Sequence, residues 1–171
     1  MPMSIRNWLI PSTLALAACS GAAPPPGAPQ ALPEPRDAAA PAALTDPASG
    51  ASCAGQGVRV TRDGFNLVVD GDCGDVVVTG SNGAINVDRA ASIRVEGSNV
   101  TVLNEHVGKV VVSGHDNVLN LTIAGPLAIE GDRNMVLARE IETVAFAGRD
   151  NTVNPDNAPA LDDKGTGNRL L

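Results

Sequence analysis

Residues 93–102 read IRVEGSNVTV and residues 110–119 read VVVSGHDNVL, so the two segments, whose numbers differ by 17, follow one plan. Each begins with two apolar residues two positions apart, continues through a glycine and ends on an apolar residue five positions later. The glycine recurs at this same spacing, at Gly80, Gly97, Gly114, Gly131, Gly148 and Gly165. A fixed period of this kind indicates stacked structural units that bury a shared core.

Four apolar columns accompany the glycine in five or six copies. They lie seven, four and two residues before it and five residues after it, as Val107, Val110, Val112 and Leu119 do around Gly114. Apolar residues two apart are typical of a strand with one inward side. The columns therefore indicate three short inward faces per repeat. We predict an all-β fold, a single-stranded parallel β-helix (β-solenoid) with coils of about 17 residues.

A meander of hairpins is the main alternative, with each glycine segment as a tight turn. It explains two arms of each repeat, whereas the column seven residues before the glycine requires a third inward face. Strands stack about 4.8 Å apart, so six coils would form a rod on the order of 30 Å long. Both ends depart from the pattern, because the step from Gly64 to Gly80 is one residue shorter than the others and Asp163 interrupts an apolar column. Terminal repeats of solenoids are usually atypical.

Each repeat glycine is expected at a corner, where it would turn the chain because glycine reaches positive φ without strain. Asparagine also recurs, two residues after the glycine at Asn82 and Asn99. It lies three residues after the glycine at Asn117, Asn134, Asn151 and Asn168. Asparagine tolerates left-handed backbone and bonds nearby backbone groups, and stacked amides can form a ladder. We assign these residues to structural turns; an exposed polar binding stripe is the alternative.

The first residues have the features of an export signal. Arg6 precedes an apolar run from Trp8 to Leu16, which is shorter than the roughly 20 residues that a membrane-spanning helix needs. The segment Leu16-Ala17-Ala18-Cys19 resembles a bacterial lipobox, and the resemblance implies that Cys19 is acylated and becomes the first residue of the mature protein. Ordinary cleavage with Cys19 as a bystander is the alternative.

Two more segments follow from this assignment. Residues 1–18 would be a lipoprotein signal peptide, and residues 19–50 the lipidated cysteine and an Ala/Pro-rich tether. Such a stretch cannot bury enough surface to offset chain entropy, so we expect it to be disordered, with a reach on the order of 90 Å. Residues 51–171 would form the solenoid domain. Ser20 favours the outer membrane, facing the periplasm, if the host is Gram-negative.

Cys53 and Cys73 are the cysteines of the expected domain. An exported domain meets an oxidising compartment. Cys73 lies in the inward column seven residues before the glycine, and Cys53 precedes it by a little more than one coil. We predict a disulfide that closes the first coil and contributes roughly 3 kcal/mol. Two buried free thiols are the alternative.

Several of these features occur together in one known family. They are the early cysteine pair, the Val-x-Val-x-Gly segments Val76–Gly80 and Val110–Gly114, and the Gly-x-x-Asn segments Gly114–Asn117 and Gly148–Asn151. In them the chain from about residue 53 to residue 171 resembles the bacterial domain of unknown function 3060 family. The resemblance implies an exported or lipid-anchored bacterial protein, and it implies no activity.

No motif in the sequence indicates a catalytic or metal site. His106 and His115 fall in different columns. Asp70, Asp72 and Asp75 suggest calcium but lack the further oxygen ligands that calcium requires, and an ordinary acidic turn is the alternative. The acidic residues do not line up in the single cluster that β-helix enzymes acting on sugars need. We therefore assign no catalytic residue, no metal and no cofactor.

Charge and composition narrow the class of partner. The formal net charge of −7 argues against nucleic acid, whose phosphates would be repelled. We expect attachment to a membrane through the N-terminal lipid and a structural or interaction role in the cell envelope. Its partner would be an envelope protein, a wall polymer or another copy stacked end to end. A ligand-binding or polysaccharide-processing β-helix is the alternative.

Overall fold

The computed structural model describes residues 42–171, so the expected signal peptide, Cys19 and the tether up to residue 41 lie outside the described residues. In this part of the chain no helix is long and apolar enough to cross a bilayer. The strands are β1 (Leu44–Thr45), β2 (Ala51–Ser52), β3 (Val58–Val60), β4 (Asn66–Val78), β5 (Gly83–Val95), β6 (Val100–Val107), β7 (Val110–Val112), β8 (Val118–Ala124), β9 (Leu127–Ile129), β10 (Met135–Ile141), β11 (Thr143–Phe146), β12 (Thr152–Pro155), β13 (Ala160–Asp163) and β14 (Arg169–Leu170).

All of these strands pair in parallel, each coil with the next. From β5 onward the paired residues keep the spacing of the repeat, as in the series Val95, Val112 and Ile129. One edge series runs β5-β7-β9-β11-β13 and the other β5-β6-β8-β10-β12-β14. A hairpin meander would pair its strands antiparallel, so that alternative is wrong. The predicted parallel β-solenoid with coils of about 17 residues is confirmed, with about seven turns.

Each coil contributes three short segments, which we call the first, second and third faces. In one interior coil they are residues 100–104, residues 106–107 and residues 110–112. The four predicted apolar columns are buried in the interior coils. Two further columns, three and seven residues after the glycine, also point inward, as Val100 and Leu121 do. The core therefore has six inward positions per coil rather than four.

The irregular first coils contain an inserted residue. Val58 pairs with Val76 and Leu67 with Ile85, a spacing one residue longer than in the later coils, and the regular spacing returns after a register shift between Val69 and Asp72. Gly71 lies in this bulge with φ of 85°, a conformation that suits glycine. A bulge of one residue thus explains why the repeat loses its period near its start.

This insertion changes which residue corresponds to the repeat glycine. A Cβ at Gly80 would overlap the carbonyl oxygen of Arg62, so Arg62 and not Gly64 occupies the glycine position one coil earlier. Gly64 has φ of 64° and corresponds to Asn82, which has φ of 57°. The resemblance of Gly64 to the repeat glycines is therefore a coincidence of residue type.

Strand pairing begins earlier than residue 51. Leu44 pairs with Val58, and its N–H donates to the carbonyl of Gly57 at 2.8 Å. The carboxylate of Asp46 accepts hydrogen bonds from the N–H of Thr61 at 2.8 Å and from its hydroxyl at 2.6 Å. The domain therefore includes residues 44–50, which the composition alone had assigned to the tether.

The last coil is the most exposed. Leu161, in an inward column, is 50% exposed, and Asp163 takes the place of an apolar residue. One oxygen of Asp163 accepts hydrogen bonds from the N–H of Gly165 at 2.9 Å and from Nδ2 of Asn168 at 3.0 Å. A carboxylate is tolerated at this position because β13, within the described residues, pairs with β11 alone and leaves Asp163 in contact with solvent.

Candidate functional site

The repeat glycines lie at the corner between the third and first faces. The prediction that they adopt positive φ is wrong, because the positive φ values fall two residues later, at Asn82, Asn99, Asp116, Arg133, Asp150 and Gly167. The glycines are needed for a different reason. A Cβ at Gly114 would overlap the carbonyl oxygen of Gly97, and the same overlap recurs coil by coil up to Gly165. Successive coils approach each other at this corner more closely than any side chain allows.

A second, shorter column of small residues lies at the corner between the second and third faces. Here a Cβ at Gly108 would crowd the carbonyl of Ala91, and one at Gly125 would overlap the carbonyl of Gly108. The sequence carried the signal, since Gly74, Ala91, Gly108 and Gly125 recur at the spacing of the repeat. Two of the three corners are thus closed by contact between backbones.

The asparagines three residues after the glycine form a buried ladder. Asn117, Asn134 and Asn151 are at most 1% exposed, and Asn168 in the last coil is half-buried. In each case Oδ1 accepts a hydrogen bond from the backbone N–H one coil earlier, as when the N–H of Asn117 donates to Asn134 at 3.0 Å. Nδ2 donates to the carbonyl of the repeat glycine one coil earlier, as Asn134 does to Gly114 at 3.0 Å.

The ladder places these asparagines in the interior of the fold. Nδ2 of Asn134 also donates to Oδ1 of Asn151 at 3.1 Å, and Asn151 repeats this contact with Asn168 at 3.0 Å. The side chains therefore satisfy backbone groups that the corner removes from regular strand pairing. The alternative of an exposed polar binding stripe is wrong for Asn117, Asn134 and Asn151.

Next to the buried ladder, the residues at the positive-φ position also contact each other from one coil to the next through their side chains. Nδ2 of Asn99 donates to Oδ1 of Asn82 at 3.0 Å. In the following coils a charged pair replaces the amides, because Arg133 donates through two nitrogens to the two oxygens of Asp116, each at 2.8 Å. Hydrogen bonds from Arg133 and then from His115 lower the pKa of Asp116 from 3.8 to about 2. The pair is half exposed and stabilises a corner.

Cys53 and Cys73 form the predicted disulfide, with their Cα atoms 4.9 Å apart. Cys53 is fully buried and Cys73 is 6% exposed. Cys73 lies in β4, where it pairs with Ala90 of the next coil. The bond therefore joins the segment before β3 to the inward column of the second face. The disulfide prediction is confirmed, and the free-thiol alternative is wrong.

With this geometry described, the chain can be compared with known proteins. A scan against protein-family models matches the family described as "Protein of unknown function (DUF3060)" twice, over residues 60–113 and residues 112–167. The chain belongs to this family. No curated protein matches the sequence, and no solved structure matches it.

The two DUF3060 matches divide the solenoid into similar parts. Each of them covers about three coils. The boundary falls at Val112, the last residue of β7, and this strand pairs with the coil before it and with the coil after it at the same 17-residue spacing. The two matches are therefore adjacent halves of one continuous stack.

The acidic and histidine residues of the DUF3060 domain are dispersed. Asp72 pairs with Arg89 at 2.7 Å, and Asp75 accepts a hydrogen bond from the hydroxyl of Ser92 at 2.6 Å. His115 contacts Asp116 at 2.8 Å. Among residues 42–171, no group of three His, Cys, Asp or Glu side chains is placed to hold a metal ion. The suggested calcium cluster does not assemble.

The buried polar residue Asn104 was not predicted from the sequence. Asn104 is 5% exposed and lies in the column seven residues after the glycine, between Val87 and Leu121. Its Nδ2 donates to the carbonyls of Val87 at 2.9 Å and Asp88 at 3.2 Å, whereas its Oδ1 is buried and accepts no hydrogen bond from the described residues. Recurrence of apolar residues at this position would have revealed the column but not its one polar member.

A concavity of about 370 Å³ lies near the start of the stack, lined mostly by glycine, alanine and valine. Arg59 and Asp75 are its charged members. It follows from the second glycine corner, where small residues leave the surface indented. The lining offers backbone atoms and one charge of each sign, and no pair of carboxylates that could act as acid and base.

Proposed function

We propose that this protein is a lipid-anchored lipoprotein of the cell envelope whose DUF3060 solenoid acts as a structural or interaction module. Its biochemical role would lie in displaying the outward faces of a rigid stack to a partner. Attachment would come from acylation of Cys19, and the partner would be an envelope protein, a wall polymer or another copy.

Anchoring rests on the segment Leu16-Ala17-Ala18-Cys19 and on the apolar run before it. The disulfide between Cys53 and Cys73 supports export, because such bonds form and persist in oxidising compartments. It also leaves Cys19 as the third cysteine of the chain, available for acylation.

The module assignment rests on one observation above the others. The repeat glycines and the ladder asparagines recur most regularly, and they contact the neighbouring coils of the same chain. A catalytic site requires polar groups that converge on a shared point and remain free to meet a substrate. In the described domain the regular polar groups are satisfied internally, which favours a scaffold.

Lipid incorporation tests the anchor. The full chain would be expressed in a bacterial host with a radiolabelled fatty acid, and label in the protein would be measured after delipidating extraction. We expect the wild type and Ser20→Ala to be labelled and to fractionate with membranes, and Cys19→Ser to carry no label. Equal labelling of Cys19→Ser, or no label in the wild type, would contradict acylation at Cys19.

A further inference from the structure

The outward side of the first face is free of charge over five successive coils. In each coil two residues point outward from this face, four and six residues after the repeat glycine. We call these ten residues the first-face strip, made of the outward residues of 84–86, 101–103, 118–120, 135–137 and 152–154. None is charged, although charged residues make up 18% of the chain.

Large apolar side chains are exposed at the centre of the strip. Leu103 is 43%, Met135 46% and Leu137 38% exposed. Along the column six residues after the glycine, leucine and asparagine alternate from Leu103 through Asn120 and Leu137 to Asn154. Unlike the ladder residue Asn134, Asn120 and Asn154 make no side-chain hydrogen bond among the described contacts.

This alternation has twice the period of the solenoid, because it returns only at every second coil. Stacking of coils explains a pattern that repeats in every coil, and it does not explain a pattern that repeats in every second coil. Exposed apolar groups grouped on one surface are typical of binding sites. The pattern is also symmetric about Asn120, since a leucine lies one coil away on either side.

We propose that the first-face strip binds the same strip of a second copy, with the two solenoids side by side and antiparallel. A twofold axis along the strand direction at Asn120 reverses the order of the coils. It therefore places Leu103 of each copy against the partner's Leu137, and Asn120 against its own equivalent. The proposal deepens the interaction role proposed above and rests on it.

Charges at the border of the strip fit this arrangement in the coils next to the axis, and they oppose it two coils away, where Asp88 of each copy meets the partner's Asp156. Glu105 and Arg139 each lie two residues beyond a strip leucine, one coil before and one coil after the axis. The axis brings Glu105 of each copy opposite the partner's Arg139, so two pairs of opposite charge flank the apolar centre. On the other border Asp116 meets its own equivalent, but Arg133 already neutralises it within each copy.

The available area indicates a weak dimer. Five coils at about 4.8 Å and five residues at about 3.3 Å give a strip of roughly 400 Å² per copy. The total of about 800 Å² lies below the standard size, in the range of weak, transient interfaces. We therefore expect association in the micromolar range, which anchoring on one membrane would strengthen by confining the copies.

Sedimentation velocity of the purified full chain in detergent, over a range of concentrations, tests the dimer. We expect Leu137→Asp to weaken dimerisation by at least about 100-fold, because it places charges in an apolar contact. Ile123→Asp is the matched control, since Ile123 is also 38% exposed but lies on the second face. Thermal melts show that both variants are folded. A monomer at every concentration, or equal effects of the two variants, would overturn the proposal.

A charge swap and a cysteine cross-link test the geometry. Glu105→Arg should raise the dimer dissociation constant by about tenfold, and Glu105→Arg with Arg139→Glu should restore it, because opposite charges meet again. Asn120→Cys should give a disulfide-linked dimer on the twofold axis, whereas Asn154→Cys should not, because it faces the partner's Asn86. Failure of the charge swap to restore binding, or equal cross-linking at both sites, would refute this axis.

Vesicle binding and lipid labelling separate this proposal from a lipid-facing strip and from failure of the anchor. Binding to vesicles of phosphatidylethanolamine and phosphatidylglycerol that Leu137→Asp abolishes, from a protein that stays monomeric, would mean that the strip contacts lipid and the dimer is wrong. Acylation of Cys19 is measured independently by labelling, so a labelled monomer would refute only the dimer. An unlabelled dimer would refute only the anchor.

Discussion

Replacing Asn134 with alanine removes one rung of the buried asparagine ladder and leaves the apolar columns intact. Three side-chain contacts are lost. The N–H of Asn117 loses its acceptor, the carbonyl of Gly114 loses its donor, and Oδ1 of Asn151 loses one of two donors. Oδ1 of Asn151 keeps the bond from the backbone N–H of Asn134 at 2.8 Å, so two groups are left without a partner.

The size of the effect follows from those two groups. Each buried polar group left without a partner costs about 1–3 kcal/mol. Asn117 and Gly114 are both buried, so water cannot replace the missing amide without opening the corner. We expect Asn134→Ala to lower the free energy of unfolding by about 4 kcal/mol, the middle of the range for two such groups. The small cavity left by the amide adds to this value.

Urea denaturation of the full chain with its disulfide intact measures this difference. Asn154→Ala is the control, because Asn154 is an exposed residue of the same face and should change stability by less than about 0.5 kcal/mol. Amide exchange gives a local measurement, since the N–H of Asn117 should exchange faster in Asn134→Ala. If the two variants lose the same stability, the ladder makes no net contribution to the fold and the reasoning is wrong.

Three further predictions concern the corners and the first coil. Gly114→Ala should lower the free energy of unfolding by more than about 3 kcal/mol, because its methyl group would overlap the backbone of the neighbouring coil. Gly50→Ala should lower it by only about 1–2 kcal/mol, because at Gly50 the methyl group has space and only the positive φ is strained. Denaturation measures both variants, and equal losses would contradict the stacking argument. Removing the Cys53–Cys73 bond by a double alanine substitution should lower the free energy of unfolding by roughly 3 kcal/mol, and an unchanged denaturation midpoint would contradict its role in the first coil. Arg133→Gln should raise the pKa of Asp116 from about 2 toward 3.8, as read by NMR titration. Because the folded pKa is the lower one, the stabilisation from Asp116 is present above about pH 4 and is lost as the pH falls toward 2, so the variant should lose less stability over that interval.

The coil length and the parallel stack could be predicted because apolar residues and glycines recur along the sequence with a fixed period. Residues such as Val95, Val112 and Ile129 recur at the repeat spacing and pair with one another in the structure. The predicted columns missed two inward positions, one because asparagine occupies it in most coils, and the other because it includes Asn104. A polar residue in an inward column looks like a surface residue until its hydrogen bonds are known.

The conformation of the corner could not be predicted from residue type. Glycine indicates either positive φ or close approach, and the sequence does not distinguish between the two. The decisive fact is that the carbonyl of Gly97 lies where a side chain of Gly114 would be, which is a contact between residues of different coils. Likewise, the pairing of Leu44 with Val58 depends on an edge that only the folded stack provides.

The candidate interaction surface shows where further information lies in a repeat protein. Inward positions, corner glycines and ladder asparagines must recur in every coil, because each coil meets its neighbours in the same way. Outward positions are under no such requirement, and most of them vary from coil to coil. The leucine and asparagine of the first-face strip neither recur in every coil nor vary freely, because each recurs in every second coil. A regularity that coil stacking does not require needs a cause outside the single chain, and a second copy running in the opposite direction supplies one, because it meets the strip with the same alternation.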